Sequence, residues 1–343
     1  TDQRLAGSHY RLSSLYATTS KGDLIGADIA RPFYSLATPY AVGSSWTRFI
    51  QESDTYLNGH KYSSFIEHSQ SGLASYGIRL KQDLHVVQRL EAGWFASKND
   101  FISTHDTIAG TLPERRQMSG PTFGYSWVQP NYIRETYINK MERTEDFNLG
   151  NELRLFGGYM GKATGSDRDR WLFNVSNQQG LRRSPGRFAL GQVGMLGRVL
   201  AGKWDNTILY ANLNLFWQAD WPYPHTWVSH MEGAASRNLD RENQLLLGGD
   251  TGLRGYRNNA FAGGKAVLWN LEHRLFMPGE YFHLMRFGGA LFFDTGAVVA
   301  QGSGISIARF NSDVGVGLRF GPTRSRMGTV VRLDVAYALN RGP

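Results

Sequence analysis

The chain has 343 residues and no cysteine, which excludes a disulfide framework and a thiolate metal site. The mean hydropathy is low, at −0.37, yet the chain has 19 Phe, 16 Tyr and 9 Trp. So many aromatic residues do not fit easily into the core of a soluble protein. The net charge is +8, but the charged residues are scattered along the sequence rather than clustered, so nucleic acid is not favoured as a partner. No apolar run approaches the roughly 18 residues of a membrane-spanning helix.

Strict alternation of apolar and polar residues predicts about fifteen β-strands of roughly ten residues each. In "ILYANLNLFWQ", for example, Leu209, Leu213 and Trp217 share one face, and Asn212 and Asn214 share the other. A soluble sandwich shows the same local alternation, but the number and length of the segments favour strands that cross a bilayer at a tilt. In chain order the predicted strands cover 9–19, 23–34, 40–50, 72–82, 84–98, 118–132, 146–160, 169–178, 188–202, 205–220, 226–237, 264–276, 285–299, 312–321 and 328–339.

The predicted fold is an all-β, transmembrane antiparallel β-barrel that occupies residues 1–343 as one domain. Tight connectors such as 21–23 and long ones such as 99–117 and 238–263 show the asymmetry of outer-membrane barrels. A barrel of this kind has an even number of strands, so sixteen are expected, with the last one following residue 343. A signal peptide is expected to have been cleaved or left out. Six tryptophans near strand ends fit an interfacial girdle, although each could also be a core residue: Trp46, Trp94, Trp127, Trp171, Trp221 and Trp227.

The segment "LLLGGDTGLRGYRNN" at 245–259 has a glycine spacing that suggests a phosphate-binding loop. Such a loop requires a helix directly after it, because the phosphate rests on the helix N-terminus. The following "NNAFAGGKAVLWNLEHRLF" alternates as a strand instead. The nucleotide-binding interpretation therefore fails, and the segment lies in a long loop between the eleventh and twelfth predicted strands.

Three motifs follow one another from this loop onward: Leu-Arg-Gly-Tyr at 253–256, Glu-His-Arg at 272–274 and Phe-Phe-Asp-Thr-Gly at 292–296. In this order they resemble the outer-membrane protein 85 superfamily, which includes BamA and TamA assembly factors and two-partner-secretion transporters. The resemblance covers roughly 200–340 well and the earlier strands only generically. It implies a sixteen-strand barrel with a weak seam between the first and last strands, and periplasmic POTRA domains before the barrel, which this chain does not show.

Within these motifs, the strand alternation places Glu272, Arg274 and Asp294 on the luminal face. We expect the loop to fold inward so that Arg254 binds Asp294, with Glu272 as a second partner, through charge-assisted hydrogen bonds. Gly255 lets the loop approach the wall closely. We call this predicted contact between the loop and the wall the latch, and its residues are Arg254, Gly255, Glu272, Asp294 and Tyr256, the last of which packs against the barrel interior. The supporting motif residues are Gly249, Gly252, Arg274, Phe292 and Gly296.

Other charged residues have simpler interpretations. Arg319, Arg332 and Asp334 are expected to line a watery lumen, as in any porin. His225, His230 and Glu232 resemble a metal site, but a solvated luminal pair is favoured, and no metal is expected. No serine lies in a Gly-x-Ser-x-Gly elbow, so no catalytic residue is predicted.

The function implied by the resemblance is non-enzymatic and needs no cofactor: insertion of proteins into the bacterial outer membrane, or their translocation across it. The expected partners are lipopolysaccharide and phospholipid, unfolded outer-membrane or secreted clients, and periplasmic domains of the same chain, but not nucleic acid. Insertion factors and secretion transporters of this superfamily share these three motifs, so the motifs fit both functions equally. Two alternatives remain, namely a membrane anchor for an N-terminal enzyme such as a patatin-like lipase, and a passive porin.

Overall fold

The structure is a computed structural model that describes residues 5–324 and 329–342. Its strands, in chain order, are β1 (Arg11–Thr19), β2 (Gly22–Arg31), β3 (Tyr40–Leu57), β4 (His60–Gln82), β5 (Val87–Ser103), β6 (Arg116–Val128), β7 (Tyr132–Glu135), β8 (Glu145–Asn148), β9 (Glu152–Met160), β10 (Arg170–Ser184), β11 (Arg187–Leu200), β12 (Lys203–Ala219), β13 (His225–Arg237), β14 (Leu245–Leu247), β15 (Phe261–Gly263), β16 (Lys265–Phe276), β17 (Met285–Val299), β18 (Asn311–Pro322) and β19 (Val331–Ala338). Short 3-10 turns lie at Leu5–Gly7, Lys162–Thr164 and Ile307–Arg309.

Within the described residues, fifteen of these strands form one antiparallel sheet in which each strand pairs with the next one along the chain. The order skips two short hairpins, because β6 pairs directly with β9 and β13 pairs directly with β16. The skipped strands pair with each other, β7 with β8 and β14 with β15. The all-β antiparallel barrel predicted from the sequence is confirmed. The eleventh and twelfth strands of the large sheet are β13 and β16, and the Leu-Arg-Gly-Tyr motif lies between them as predicted.

All fifteen predicted strands are present, although residue 328, where the last one was expected to begin, lies outside the described residues. The prediction was wrong for 51–71, which was left as a connector. There β3 and β4 continue to a tight turn at 58–59. This part is polar on both faces, so it shows no apolar alternation. Cross-strand contacts hold it instead, since the hydroxyl oxygen of Ser64 lies within hydrogen-bond distance of Glu52, at 2.7 Å, and of Asp54, at 2.8 Å.

The outer face of the sheet is apolar and exposed. In β19 alone, four alternate side chains are more than half exposed: Val331 at 58%, Leu333 at 60%, Val335 at 69% and Tyr337 at 73%. A face of this kind is costly in water and suits a lipid environment. Five of the six girdle tryptophans are exposed as well, which excludes the core interpretation for them: Trp46, Trp94, Trp171, Trp221 and Trp227.

The interior of the barrel holds two segments that connect neighbouring strands. Residues 238–263, named the LRGY loop below, join β13 to β16 at one end. Residues 129–151, named the inner hairpin segment, join β6 to β9 and contain β7 and β8. The sheet is antiparallel, so its sixth and eleventh strands end on opposite sides of the barrel. The two segments therefore enter the interior from opposite ends.

The two outermost strands of the large sheet, β1 and β19, each pair with one neighbour in the part of the chain that the structure describes. Among the described residues, no helix has the length and apolar character needed to cross a membrane.

Candidate functional site: the loop-to-wall ion-pair cluster

The LRGY loop is pinched at its base and projects into the barrel. Leu245–Leu247 pairs with Phe261–Gly263, so the residues between them form a closed protrusion. Its tip is anchored by apolar packing, because Leu253 is completely buried and lies in one cluster with Leu247 and Leu268. The protrusion is therefore held by burial before any charge is considered.

Two glycines allow this close approach for different reasons. Gly252 has a φ of +112°, which strains any other residue, and a side chain there would overlap Leu268. Gly255 lies against the wall, and a Cβ atom at that position would come within 2.6 Å of the Cβ of Asp313. The other supporting glycines are also crowded. A Cβ at Gly249 would lie 2.7 Å from the carbonyl oxygen of Tyr256, and one at Gly296 would lie 2.8 Å from that of Val267.

Arg254 extends from the tip to three carboxylates of the wall. Its Nε donates to Oδ2 of Asp294 at 2.8 Å and its Nη2 to Oδ1 of the same residue at 2.9 Å, a two-pronged pair. Its Nη1 donates to Glu272 at 3.2 Å and to Asp334 at 3.2 Å. The guanidinium carbon also lies 3.4 Å from the ring centre of Phe292, which adds a cation–π contact.

Two further arginines complete the cluster. Arg319 donates to Glu272 at 3.1 Å and also pairs with Asp334. Arg274 donates to Oε1 of Glu272 at 3.0 Å. Glu272 thus receives bonds from all three arginines. Three cations face three carboxylates, so the cluster is electrically balanced, which a partly buried network requires.

A neutral side chain, that of Asn270, helps to fix the position of Asp294. Asn270 donates from its amide nitrogen to Oδ1 of Asp294 at 2.7 Å and to the carbonyl oxygen of Gly252 at 2.7 Å. It therefore joins wall to loop directly. Asp313, the cross-strand neighbour of Asp294, is also fully buried, and within the described residues its carboxylate oxygens have no hydrogen-bond partner of good geometry.

Tyr256 closes the far side of the loop tip. Its ring packs edge-on against Phe261, and its hydroxyl donates to the carbonyl oxygen of Ser312 at 2.9 Å and lies 3.3 Å from that of Asn340. The loop is thereby tied to the last two strands of the sheet.

The residues predicted for the latch are found together: Arg254, Gly255, Tyr256, Glu272 and Asp294. Their role in function stays a prediction. The watery-lumen expectation was wrong for Asp334 and Arg319, which belong to the cluster, whereas Arg332 is exposed. The alternation had placed all three on the inner face.

What alternation could not supply was the register between strands. Asp334 lies opposite Gly317, and Gly317 lies opposite Ala290. The carboxylate of Asp334 lies over Gly317, where a Cβ atom would overlap it, so it extends across β18 toward the strand of Asp294. Only the paired sheet reveals this.

Of the histidines set aside in the sequence, His230 lies opposite Asn270 across β13 and β16 and lines the same cavity as Arg254 and Glu272. His230 contacts Asn214 at 2.8 Å and Glu232 at 3.4 Å, and His225 contacts the carbonyl oxygen of Tyr223 at 2.9 Å. Across residues 5–324 and 329–342, no three or more His, Asp or Glu side chains are arranged so that they could hold a metal ion.

Comparison with known proteins places the fold. No protein-family model and no curated protein sequence matches the chain. Among solved structures, the crystal structure of BamA from Haemophilus ducreyi lacking POTRA domains 1–3 is similar with a TM-score of 0.54 and 12% identity, over 99% of this chain and 63% of that one. CdiB from Acinetobacter baumannii is similar with a TM-score of 0.43 and 11% identity, over 96% of this chain and 60% of that one.

The chain thus spans 63% of the length of the BamA chain that it matches. At 12% identity the likeness concerns the fold. The fold that the resemblance of the three sequence motifs implied is confirmed: this chain folds like the matched part of BamA.

Proposed function

We propose that this protein is a barrel of the bacterial outer membrane that inserts proteins into that membrane or translocates them across it, without catalysing a chemical reaction. The LRGY loop acts as its latch. Residues 1–343 form the barrel domain, and the outward apolar face contacts lipopolysaccharide and phospholipid. Unfolded outer-membrane or secreted proteins are the clients.

The observation that carries this proposal is the binding of Arg254 to three wall carboxylates. A guanidinium in a closed loop is held by Asp294, Glu272 and Asp334 and stacks on Phe292. A barrel that served only as a passive conduit has no need of such a joint. Removal of one partner from a buried ion pair costs about 3–5 kcal/mol, so the cluster favours one loop position strongly.

The latch acts on the last two strands of the sheet in the part of the chain that the structure describes. Asp334 belongs to β19, and Tyr256 binds carbonyl oxygens at the start of β18 and just after β19. A loop seated here fixes the last strands. Held in this way, the strands beside the seam keep the conformation in which a client strand can pair by β-augmentation, and withdrawal of the loop loses that conformation.

The passive porin is less well supported, because two segments occupy the interior and carry apolar anchors as well as charges. The anchor for an N-terminal enzyme remains an alternative. It predicts that latch variants leave the attached enzyme active and correctly placed.

The experiment compares Arg254→Ala with Arg257→Ala in the full-length protein reconstituted into liposomes. Arg257 lies on the same loop with an exposed side chain, so it is a matched control. The probe is an unfolded eight-stranded β-barrel protein, and its insertion is followed by resistance to protease and by the gel shift of folded barrels. We expect insertion to fall at least about tenfold for Arg254→Ala, since 1.4 kcal/mol corresponds to a tenfold change. Equal activity of both variants refutes the latch.

A further inference from the structure

The inner hairpin segment, residues 129–151, was not anticipated from the sequence, which predicted strands at 118–132 and 146–160 with a plain connector between them. Instead the chain leaves β6 at 128, turns inward and pairs Tyr132–Glu135 with Glu145–Asn148 before β9 begins. It fills the mouth opposite the one from which the LRGY loop enters.

The part of the barrel wall that this segment contacts is apolar. Ile138 is completely buried, and it packs with Ile133 and Leu149 in one apolar cluster of the interior. The wall supplies three inward-facing apolar residues to the same cluster: Phe188, Phe216 and Val228. Side chains that face the lumen of a water-filled barrel are normally polar. These three are apolar because the segment rests on them.

Polar bonds fasten the segment around its rim. The hydroxyl of Thr226 donates to the carbonyl oxygen of Tyr137 at 2.6 Å, and Arg182 binds Glu135 at 2.8 Å. Thr226 is completely buried, so its hydroxyl depends on this bond. Apolar packing and hydrogen bonds therefore both hold the segment against the wall.

Arg274 links this segment to the latch. Its Nη1 donates to the carbonyl oxygen of Ile138 at 2.6 Å, and its Nε donates to Oε1 of Glu272 at 3.0 Å. The other oxygen of Glu272 accepts from Arg254 at 3.2 Å. A single carboxylate thus joins the two inward segments, and if either one withdraws, the orientation of Glu272 must change.

We propose that residues 129–151 are a second gate of the barrel and that Arg274 couples its position to that of the LRGY loop. Opening a path through the lumen requires both segments to move. The coupling through Arg274 and Glu272 makes the release of one lower the cost of releasing the other. The inference holds whichever clients the barrel handles, and it is tested without any client.

The first test locks the gate with a disulfide, which is clean because the chain has no cysteine of its own. A Cβ atom built at Gly321 in β18 lies 3.2 Å from the Cβ of Met141, slightly less than the roughly 3.5–4.5 Å of natural disulfides, so a small shift of the segment admits the bond. The locking variant is M141C/G321C. The control is A30C/G43C, whose Cβ atoms lie 3.3 Å apart across β2 and β3 and which links only the wall.

The readout is ion conductance of the full-length protein in planar bilayers, with Arg254→Ala added to free the LRGY loop. We expect frequent openings in the reduced M141C/G321C protein and at least about fivefold fewer after oxidation, within the usual range of coupling between sites. Reductant restores the openings, and oxidation of A30C/G43C changes nothing. The second gate is refuted if oxidised M141C/G321C conducts as well as the reduced protein, or if no disulfide forms in the folded barrel.

The second test measures the coupling by protease cleavage of the LRGY loop in Arg274→Ala, Arg254→Ala and the double variant. We expect Arg274→Ala to speed cleavage although it does not touch the loop, and the double variant to be less than additive. Arg11→Ala, which removes only an exposed ion pair with Asp28 between β1 and β2, is the control and should combine additively with Arg254→Ala. Additive behaviour of Arg274→Ala would disprove the coupling even if insertion of the probe barrel depends on Arg254.

Discussion

Arg254 and Asp294 are joined by two parallel hydrogen bonds, of 2.8 and 2.9 Å, although 40 residues separate them in the chain. The side chain of Asp294 is completely shielded from solvent. An ionised carboxylate in such a place needs a cation, and the loop supplies it. The seated loop and the folded wall therefore depend on each other, which is the physical content of the latch.

Arg254→Lys should behave much like Arg254→Ala. Lysine keeps the positive charge, but it has no planar fork for Asp294 and stacks less well on Phe292. We expect both variants to weaken loop docking by about 3–5 kcal/mol, seen as faster protease cleavage within the LRGY loop. Cleavage of Arg257→Ala should match the unaltered protein. If Lys restores protection fully, charge alone explains the contact and the forked geometry is irrelevant.

The two neighbouring aspartates should respond differently to the same change. Asp294→Asn removes the charge that binds Arg254, and we expect a loss of about 1.5–3 kcal/mol in urea unfolding followed by tryptophan fluorescence. Asp313→Asn should leave stability unchanged or improve it, because a buried carboxylate beside another one, without a good hydrogen-bond partner, gains nothing from ionisation. A larger loss for Asp313→Asn than for Asp294→Asn would contradict this assignment.

Gly315 should be essential to the position of the Phe292 ring, on which the guanidinium of Arg254 stacks. A Cβ atom at this position would overlap the ring of Phe292, so Gly315→Ala must displace the ring or the strand. We expect a cost of about 1–3 kcal/mol and faster cleavage of the LRGY loop. Gly289→Ala is the matched control, since the nearest atom to its Cβ would be 3.8 Å away. Identical unfolding curves for the two variants would show that Phe292 does not position the arginine.

The inner hairpin segment should contribute measurable stability. Ile138→Ala empties a completely buried site in the cluster with Phe188 and Phe216, and we expect a loss of about 2–5 kcal/mol. Ile108→Ala, at a site that is 39% exposed, should cost far less. The measurement is the temperature at which the folded band is lost in the gel shift. Equal temperatures would mean that the segment is not packed inside the barrel.

Some of the site was accessible from the sequence. Alternation placed Glu272, Arg274 and Asp294 on one face, because side chains in a strand have a period of two whatever the surroundings. The loop context of Arg254 followed from the strands on either side. Asp334 was beyond reach, since its position beside the cluster depends on how β17, β18 and β19 are aligned with one another.

The sequence by itself determined the fold class and the order of all fifteen large strands, because the alternation of apolar and polar residues is a local property of each strand's own sequence. Together with the resemblance to a known family, it also predicted that one arginine in a glycine-rich loop binds acidic residues on the wall. Only the tertiary structure decided which carboxylates share that arginine, and that 129–151 turns inward onto Phe188 and Phe216. Both depend on contacts between segments far apart in the chain, for which no local pattern exists.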